Sequence, residues 1–134
     1  MIVKDMKKII FSVFAMLFVG ILSAQAQAVI KFDKETQNFG TFSEENSNVS
    51  TTFTFTNTGD KPLVINQIVT GCGCTTPNYS KEPVAPGKTG TIQVTYNGKG
   101  RFPGHFKKLI TVNSNAKNNM ARIYIEGDMT AAKK

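Results

Sequence analysis

The stretch VSTTFTFTN, residues 49–57, decides the fold class. Val49, Thr51, Phe53 and Phe55 fall on one parity, and Thr52, Thr54 and Thr56 on the other. Successive side chains of an extended strand point to opposite faces, so this spacing builds an aromatic face and a β-branched polar face. That is the pattern of a strand buried on one side and wet on the other.

The same period of two recurs outward from this segment, and no helical period appears after residue 28. Residues 91–96 place Ile92, Val94 and Tyr96 inward, and residues 121–126 do so with Ala121, Ile123 and Ile125. Residues 105–113 carry Phe106, Ile110 and Val112 on one parity, interrupted by Lys108. Residues 63–69 change phase between Ile65 and Ile68, which predicts a bulge near Asn66-Gln67. Two shorter candidates, 29–33 and 38–42, precede them. Turn chemistry separates the strands: Gly59 to Pro62, a Pro86-Gly87 pair suited to a type II turn, Asn97-Gly98, and a loop from Gly100 to Gly104. Seven short strands with such punctuation predict an all-β, seven-stranded immunoglobulin-like sandwich. The chain has no tryptophan, so the Cys…Trp…Cys core of antibody domains cannot form. The core is expected to rest on Phe32, Phe39, Phe53, Phe55, Phe106 and the Ile/Val set.

The start of the chain is of another kind. Lys4, Lys7 and Lys8 precede an unbroken apolar run from Ile9 to Leu22, followed by Ala24-Gln25-Ala26. A basic start, an apolar middle and a small-x-small exit are the three parts of an export signal. The run spans about 21 Å as a helix, short of the ~30 Å of a bilayer core. Residues 1–26 are therefore expected to be a cleaved signal peptide, 27–130 the sandwich and 131–134 a disordered tail, with no stable membrane span after cleavage. The location expected is outside the inner membrane, in the periplasm, at the cell surface or in the medium.

This division changes the meaning of the charge. The 134 residues carry 16 Lys+Arg against 9 Asp+Glu, a formal +7. Lys4, Lys7, Lys8 and Asp5 leave with the signal, and Lys133 and Lys134 sit on the tail, so about +3 remains on the folded body. Those lysines are scattered, apart from Lys107-Lys108, and no aromatic-basic stacking platform accompanies them. Nucleic acid is excluded as a partner on these grounds. No Gly-x-Ser-x-Gly elbow, metalloprotease motif or phosphate loop occurs, and one histidine leaves little room for acid–base chemistry. No catalytic residue is assigned, and the chain is not read as an enzyme.

One segment is not explained by strand building: Gly71-Cys72-Gly73-Cys74-Thr75. Gly71 and Gly73 permit unusual dihedrals, and the two cysteines lie on one side of an extended chain. Three readings fit. Cys72 and Cys74 can close a local disulfide, a weak staple of about 1.6 kcal/mol in the chain-entropy picture and relatively easy to reduce. They can grip Cu or Zn as thiolates, with His105 the only imidazole available as a further ligand. Or they can pack as small hydrophobes at a sharp turn. No Lys, Arg or His stands beside them in sequence to lower a thiol pKa. Arg101, Phe102 and Pro103, in the glycine-flanked loop, are candidates for partner contact.

The succession FTFTNTGDKPLVI (53–65), TGCGCTTP (70–77), APGKTGTIQVTY (85–96), GHFKKLITVNSN (104–115) and IYIEG (123–127) resembles the DUF1573 family of secreted bacterial proteins, Bacteroidetes especially. The resemblance covers residues 30–128, nearly everything after the signal. It implies a sandwich related to major sperm protein and ASH/Hydin domains, and an exported location, but no reaction. The function expected is an exported, non-catalytic interaction or scaffold module whose partner is a protein or cell-envelope component. The alternative is a periplasmic thiol-redox or soft-metal protein using Cys72-Gly73-Cys74. No cofactor is expected under the first reading, and Cu or Zn only under the second.

Overall fold

The computed structural model describes residues 26–133. Its strands are β1 (Ile30–Phe32), β2 (Thr36–Ser43), β3 (Asn48–Asn57), β4 (Ile65–Thr70), β5 (Thr75–Tyr79), β6 (Thr89–Asn97), β7 (Gly104–Ser114) and β8 (Met120–Thr130). A short 3-10 turn, Glu44–Asn46, joins β2 to β3. Residues 1–25 of the expected signal, and Lys134 of the expected tail, lie outside the described residues.

The strands form two four-stranded sheets, ordered β1-β3-β6-β5 and β2-β8-β7-β4. The segment 49–57 is part of β3, which pairs antiparallel with β6 from Asn48 against Asn97 to Thr56 against Thr89. The parities land as the alternation requires: Phe53 and Phe55 are buried, and Thr52 is exposed. After β1 the chain switches sheets within residues 33–35, and β2 then runs parallel to β8 while every other pairing is antiparallel. The two ends of the domain are thus tied to each other.

Each of the seven candidate segments contributes to a strand. The phase change in residues 63–69 is a register shift between Ile65 and Gln67. Gly87 sits at φ +78° with Lys88 N–H donating to the Ala85 carbonyl at 3.0 Å, the turn expected of Pro86-Gly87. The Asn97-Gly98 turn is displaced: Arg101 N–H bonds the Gly98 carbonyl at 3.0 Å, and the left-handed residue is Gly100 at φ +78°. Gly98 serves packing instead, since a Cβ there would lie 2.6 Å from Met129 Sδ and 3.0 Å from Ser47 Cβ.

The eighth strand, β5, follows directly after the Cys-Gly-Cys block. Its central Pro77 argues against a strand from sequence alone. Thr75, however, turns its N–H to Cys72 O (3.2 Å) and its carbonyl to Thr70 Oγ1 (3.2 Å), away from β6. Strand alternation gives Pro77 the same aspect, so its missing donor falls on the open edge of the sheet.

The centre of the core is more aliphatic than expected. Phe53, Leu63, Ile92, Val94, Ile110, Val112, Ile123 and Ile125 are wholly inaccessible, and Phe55 is buried beside them. Phe32, Phe39 and Phe106 are half-buried and close the rims, with Phe106 stacked on Tyr96 at 4.1 Å and 10°. The reason is geometric: the middle positions of β6, β7 and β8 face the opposite sheet squarely, and β-branched side chains fill that space in few rotamers.

Candidate functional site

Cys72 and Cys74 lie where the chain leaves β4, an outer strand of one sheet, and enters β5, an outer strand of the other. They form a disulfide with a Cα–Cα distance of 5.1 Å. Local hydrogen bonds hold the crossover. Thr70 Oγ1 is within 3.2 Å of the carbonyls of both Cys72 and Thr75, Thr75 N–H donates to Cys72 O at 3.2 Å, and Asn97 N–H donates to Cys74 O at 2.7 Å. Cys74 N–H points at Cys72 Sγ (3.1 Å), and Thr75 Oγ1 lies 3.7 Å from Cys74 Sγ.

The two sulfurs are not equivalent. Cys74 is buried at 6 % exposure with Thr75 at 3 %, whereas Cys72 is half-buried. Cys72 lines a groove of about 320 Å³ with Val69, Thr75, Lys107, Lys108 and Leu109. No cation adjoins the cysteines in sequence, but β7 brings two lysines to the same groove from more than thirty residues away. Lys107 also lies 4.9 Å over the Tyr124 ring. The dihedral expectation for the glycines is corrected. Neither Gly71 nor Gly73 has positive φ, and a Cβ on either would meet nothing within 4 Å.

His105 is not among the residues of that groove. It stands on the outer face of β7, 58 % exposed, with Nδ1 3.0 Å from Asp128 Oδ1 and Nε2 4.0 Å from Glu126 Oε2. Two carboxylates from β8 occupy its ring, and among the described residues no group of three or more His, Cys, Asp or Glu side chains has an arrangement that would hold a metal.

Arg101, Phe102 and Pro103 are all exposed, and Phe102 stands out at 97 %. The loop that carries them is braced: Gly98 N–H donates to Ser47 O (2.9 Å), Lys99 N–H to Asn97 Oδ1 (3.0 Å) and Arg101 N–H to Gly98 O (3.0 Å). Arg101 also reaches the neighbourhood of Tyr96, whose hydroxyl is pushed up by burial and drawn partly back by the guanidinium.

Neither the lysines of the Cys72 groove nor the bracing of the Phe102 loop is visible locally in sequence. The one signal was Lys108 itself, a charge on the inward parity of β7.

Two four-stranded sheets, with the leading strand divided between them and closed in parallel onto the last, define an immunoglobulin-like β-sandwich. The chain belongs to the DUF1573 family, a protein family of unknown function whose signature matches residues 30–129. Among curated proteins no sequence matches it. The ASH/PapD-like domain 7 of human CEP192 superposes with a TM-score of 0.63 at 8% identity, covering 80% of this chain and 89% of that one. A protein of unknown function from Porphyromonas gingivalis superposes at 0.69 with 15% identity, covering 81% of this chain and 50% of its own. The periplasmic chaperone SfaE gives 0.53 and 13%, covering 78% and 60%. The chain thus spans half of the P. gingivalis protein's length. Among the described residues no helix is long and apolar enough to cross a membrane.

Proposed function

We propose that this protein is an exported, non-catalytic immunoglobulin-like module that docks a protein of the cell envelope through the loop at residues 98–104. The observation that carries the proposal is Phe102: a large aromatic side chain, 97 % exposed, on a loop whose backbone is hydrogen-bonded at Gly98, Lys99 and Arg101. An ordered loop loses little entropy on docking, and aromatic and Arg anchors dominate binding energy at interfaces. Lys99 and Arg101 stand near Phe102 in the same loop, which favours an apolar pocket with an acidic rim. The fold shared with a periplasmic chaperone and an ASH domain supports a binding role. The basic-apolar-small start of the chain and its disulfide support an oxidising compartment beyond the inner membrane.

The test is site-specific photo-crosslinking in living cells, with a photoreactive residue at position 102 and, as control, at the exposed Gln93 in the middle of β6. A discrete adduct at 102 that is absent at 93, and competed away by the unmodified protein but not by its Phe102→Ala variant, is expected. Equal labelling at both positions, or none at 102, overturns the reading.

A further inference from the structure

We propose that the Cys72–Cys74 disulfide is a thiol-exchange site that accepts two electrons from a dithiol in an extended polypeptide. The proposal does not depend on the Phe102 loop, and neither test bears on the other.

Three observations converge on it. The pair encloses a single residue, so the bond withholds less chain entropy than one closing a longer loop and is a weak staple. Its sulfurs are presented asymmetrically, with Cys72 on the wall of an open groove and Cys74 buried behind it. And the groove has the chemistry of a peptide seat. Val69 and Leu109, 44 % and 42 % exposed, offer an apolar ledge, and Lys107 and Lys108 bring positive charge to the groove's lining. Cations next to a cysteine favour its thiolate, which is the form that attacks and the form that leaves.

The chemistry balances without a further oxidant. A substrate thiol loses its proton, and its thiolate attacks Cys72 Sγ along the groove. A substrate–Cys72 bond forms as the Cys72–Cys74 bond breaks, and the electron pair goes to Cys74 Sγ. Thr75 Oγ1, 3.7 Å away, is placed to donate to that thiolate before it takes up the proton. The second substrate thiolate then attacks the substrate sulfur of the mixed disulfide. Its product is the substrate disulfide, and the electron pair leaves on Cys72 Sγ, beside the Cys74 N–H and in the groove that the two lysines help line. Two electrons and two protons pass to the protein, one oxidising equivalent per chain, so the exchange is stoichiometric rather than catalytic.

The experiment uses protein purified from cells expressing the full chain, with reduced glutathione and a reduced Cys-x-x-Cys peptide as probes. Samples are acid-quenched, alkylated and weighed intact. The expected result is one equivalent of peptide disulfide formed per chain, with Cys72 and Cys74 both becoming alkylated. In the single-cysteine variants, oxidised glutathione is expected to modify Cys74→Ser, through Cys72, faster than Cys72→Ser. The Lys107→Gln/Lys108→Gln pair is expected to exchange roughly three- to tenfold more slowly, as a loss of up to one pKa unit of thiolate stabilisation implies. Its melting temperature should stay within a few degrees of the parent. A pair that stays oxidised in millimolar dithiothreitol while the protein is folded is an inert staple and overturns the proposal. So does equal modification of the two single-cysteine variants, or unchanged exchange in the double lysine variant.

Discussion

The side chain of Asn118 brackets the backbone of Ile30 from 88 positions away: its Nδ2 donates to the Ile30 carbonyl at 2.7 Å, and its Oδ1 accepts the Ile30 N–H at 3.2 Å. A single amide thereby does for β1 what a neighbouring strand would do. β1 is an edge strand of only three residues, and both open backbone groups of its first residue are satisfied from within the chain. Truncation, Asn118→Ala, removes two hydrogen bonds of about 1 kcal/mol each and is expected to cost about 2 kcal/mol. Urea unfolding should show a lower midpoint at an unchanged m-value; a midpoint equal to the parent's contradicts this account.

The other edges are managed as well. On β4, the Ile68 N–H donates to the Tyr79 hydroxyl at 3.3 Å; on β2, Asn38 is engaged locally by the Gln37 amide (3.0 Å) and the Gly40 N–H (2.8 Å). On β5, Pro77 removes the donor that would face a newcomer. Unprotected edges recruit foreign strands, and proline on the open side is a common defence. Pro77→Val restores that donor and leaves the β6 ladder intact. The variant is expected to dimerise or aggregate with rising concentration, read by size-exclusion chromatography with light scattering, while the parent does not. A monomeric variant over the same range means that Pro77 does not guard the edge.

Asn57 is wholly buried, yet every polar atom of its side chain is used. Its Nδ2 donates to the carbonyls of Lys61 (2.7 Å) and Val84 (2.9 Å), and its Oδ1 accepts from Val29 (3.3 Å) and Gly59 (3.0 Å). Four backbone groups from three segments depend on one amide. Asn57→Ala is expected to destabilise by about 3–4 kcal/mol, more than Asn118→Ala, because each orphaned buried group retains its desolvation cost of ~1 kcal/mol or more. Chemical denaturation of the two variants side by side measures the order.

Tyr96 gives the protein an alkaline limit. Burial raises its hydroxyl above the ordinary 10.0, and the Arg101 charge offsets part of the rise. Its neutral form is favoured in the folded state, so this contribution to stability is complete below pH 10 and is lost as pH climbs through the raised folded value. Tyr96→Phe keeps the stacking on Phe106 and removes the titrating group. Its melting temperature is expected to fall less steeply above pH 10 than the parent's. Parallel slopes assign the alkaline loss elsewhere.

Much of the sandwich was legible in sequence because it is written in a period of two. Phe53 and Phe55, Ile92 and Val94, and Ile123 and Ile125 each report which way a strand faces, and the phase slip between Ile65 and Ile68 reports a bulge. β5 was illegible because Pro77 tells against a strand unless the strand's neighbour is known, and sequence does not name neighbours. The surroundings of Cys72 were hidden for the same reason. Lys107 and Lys108 reach it only because residues 65–70 pair with residues 110–114. Phe102, in turn, could be placed in a loop, but its exposure depends on which atoms decline to cover it.

The parallel closure of β2 onto β8 has a consequence for how the molecule comes into being. Thr36 pairs with Tyr124 and Ser43 with Thr130, so the second sheet lacks an inner strand until almost all of the domain has been synthesised. Contacts this far apart in sequence form late and slowly. A growing chain without β8 lacks the one partner of β2 and one of the two partners of β7, so β2 cannot join its sheet. The second sheet, and with it the closed sandwich, is therefore completed only when the final strand is delivered.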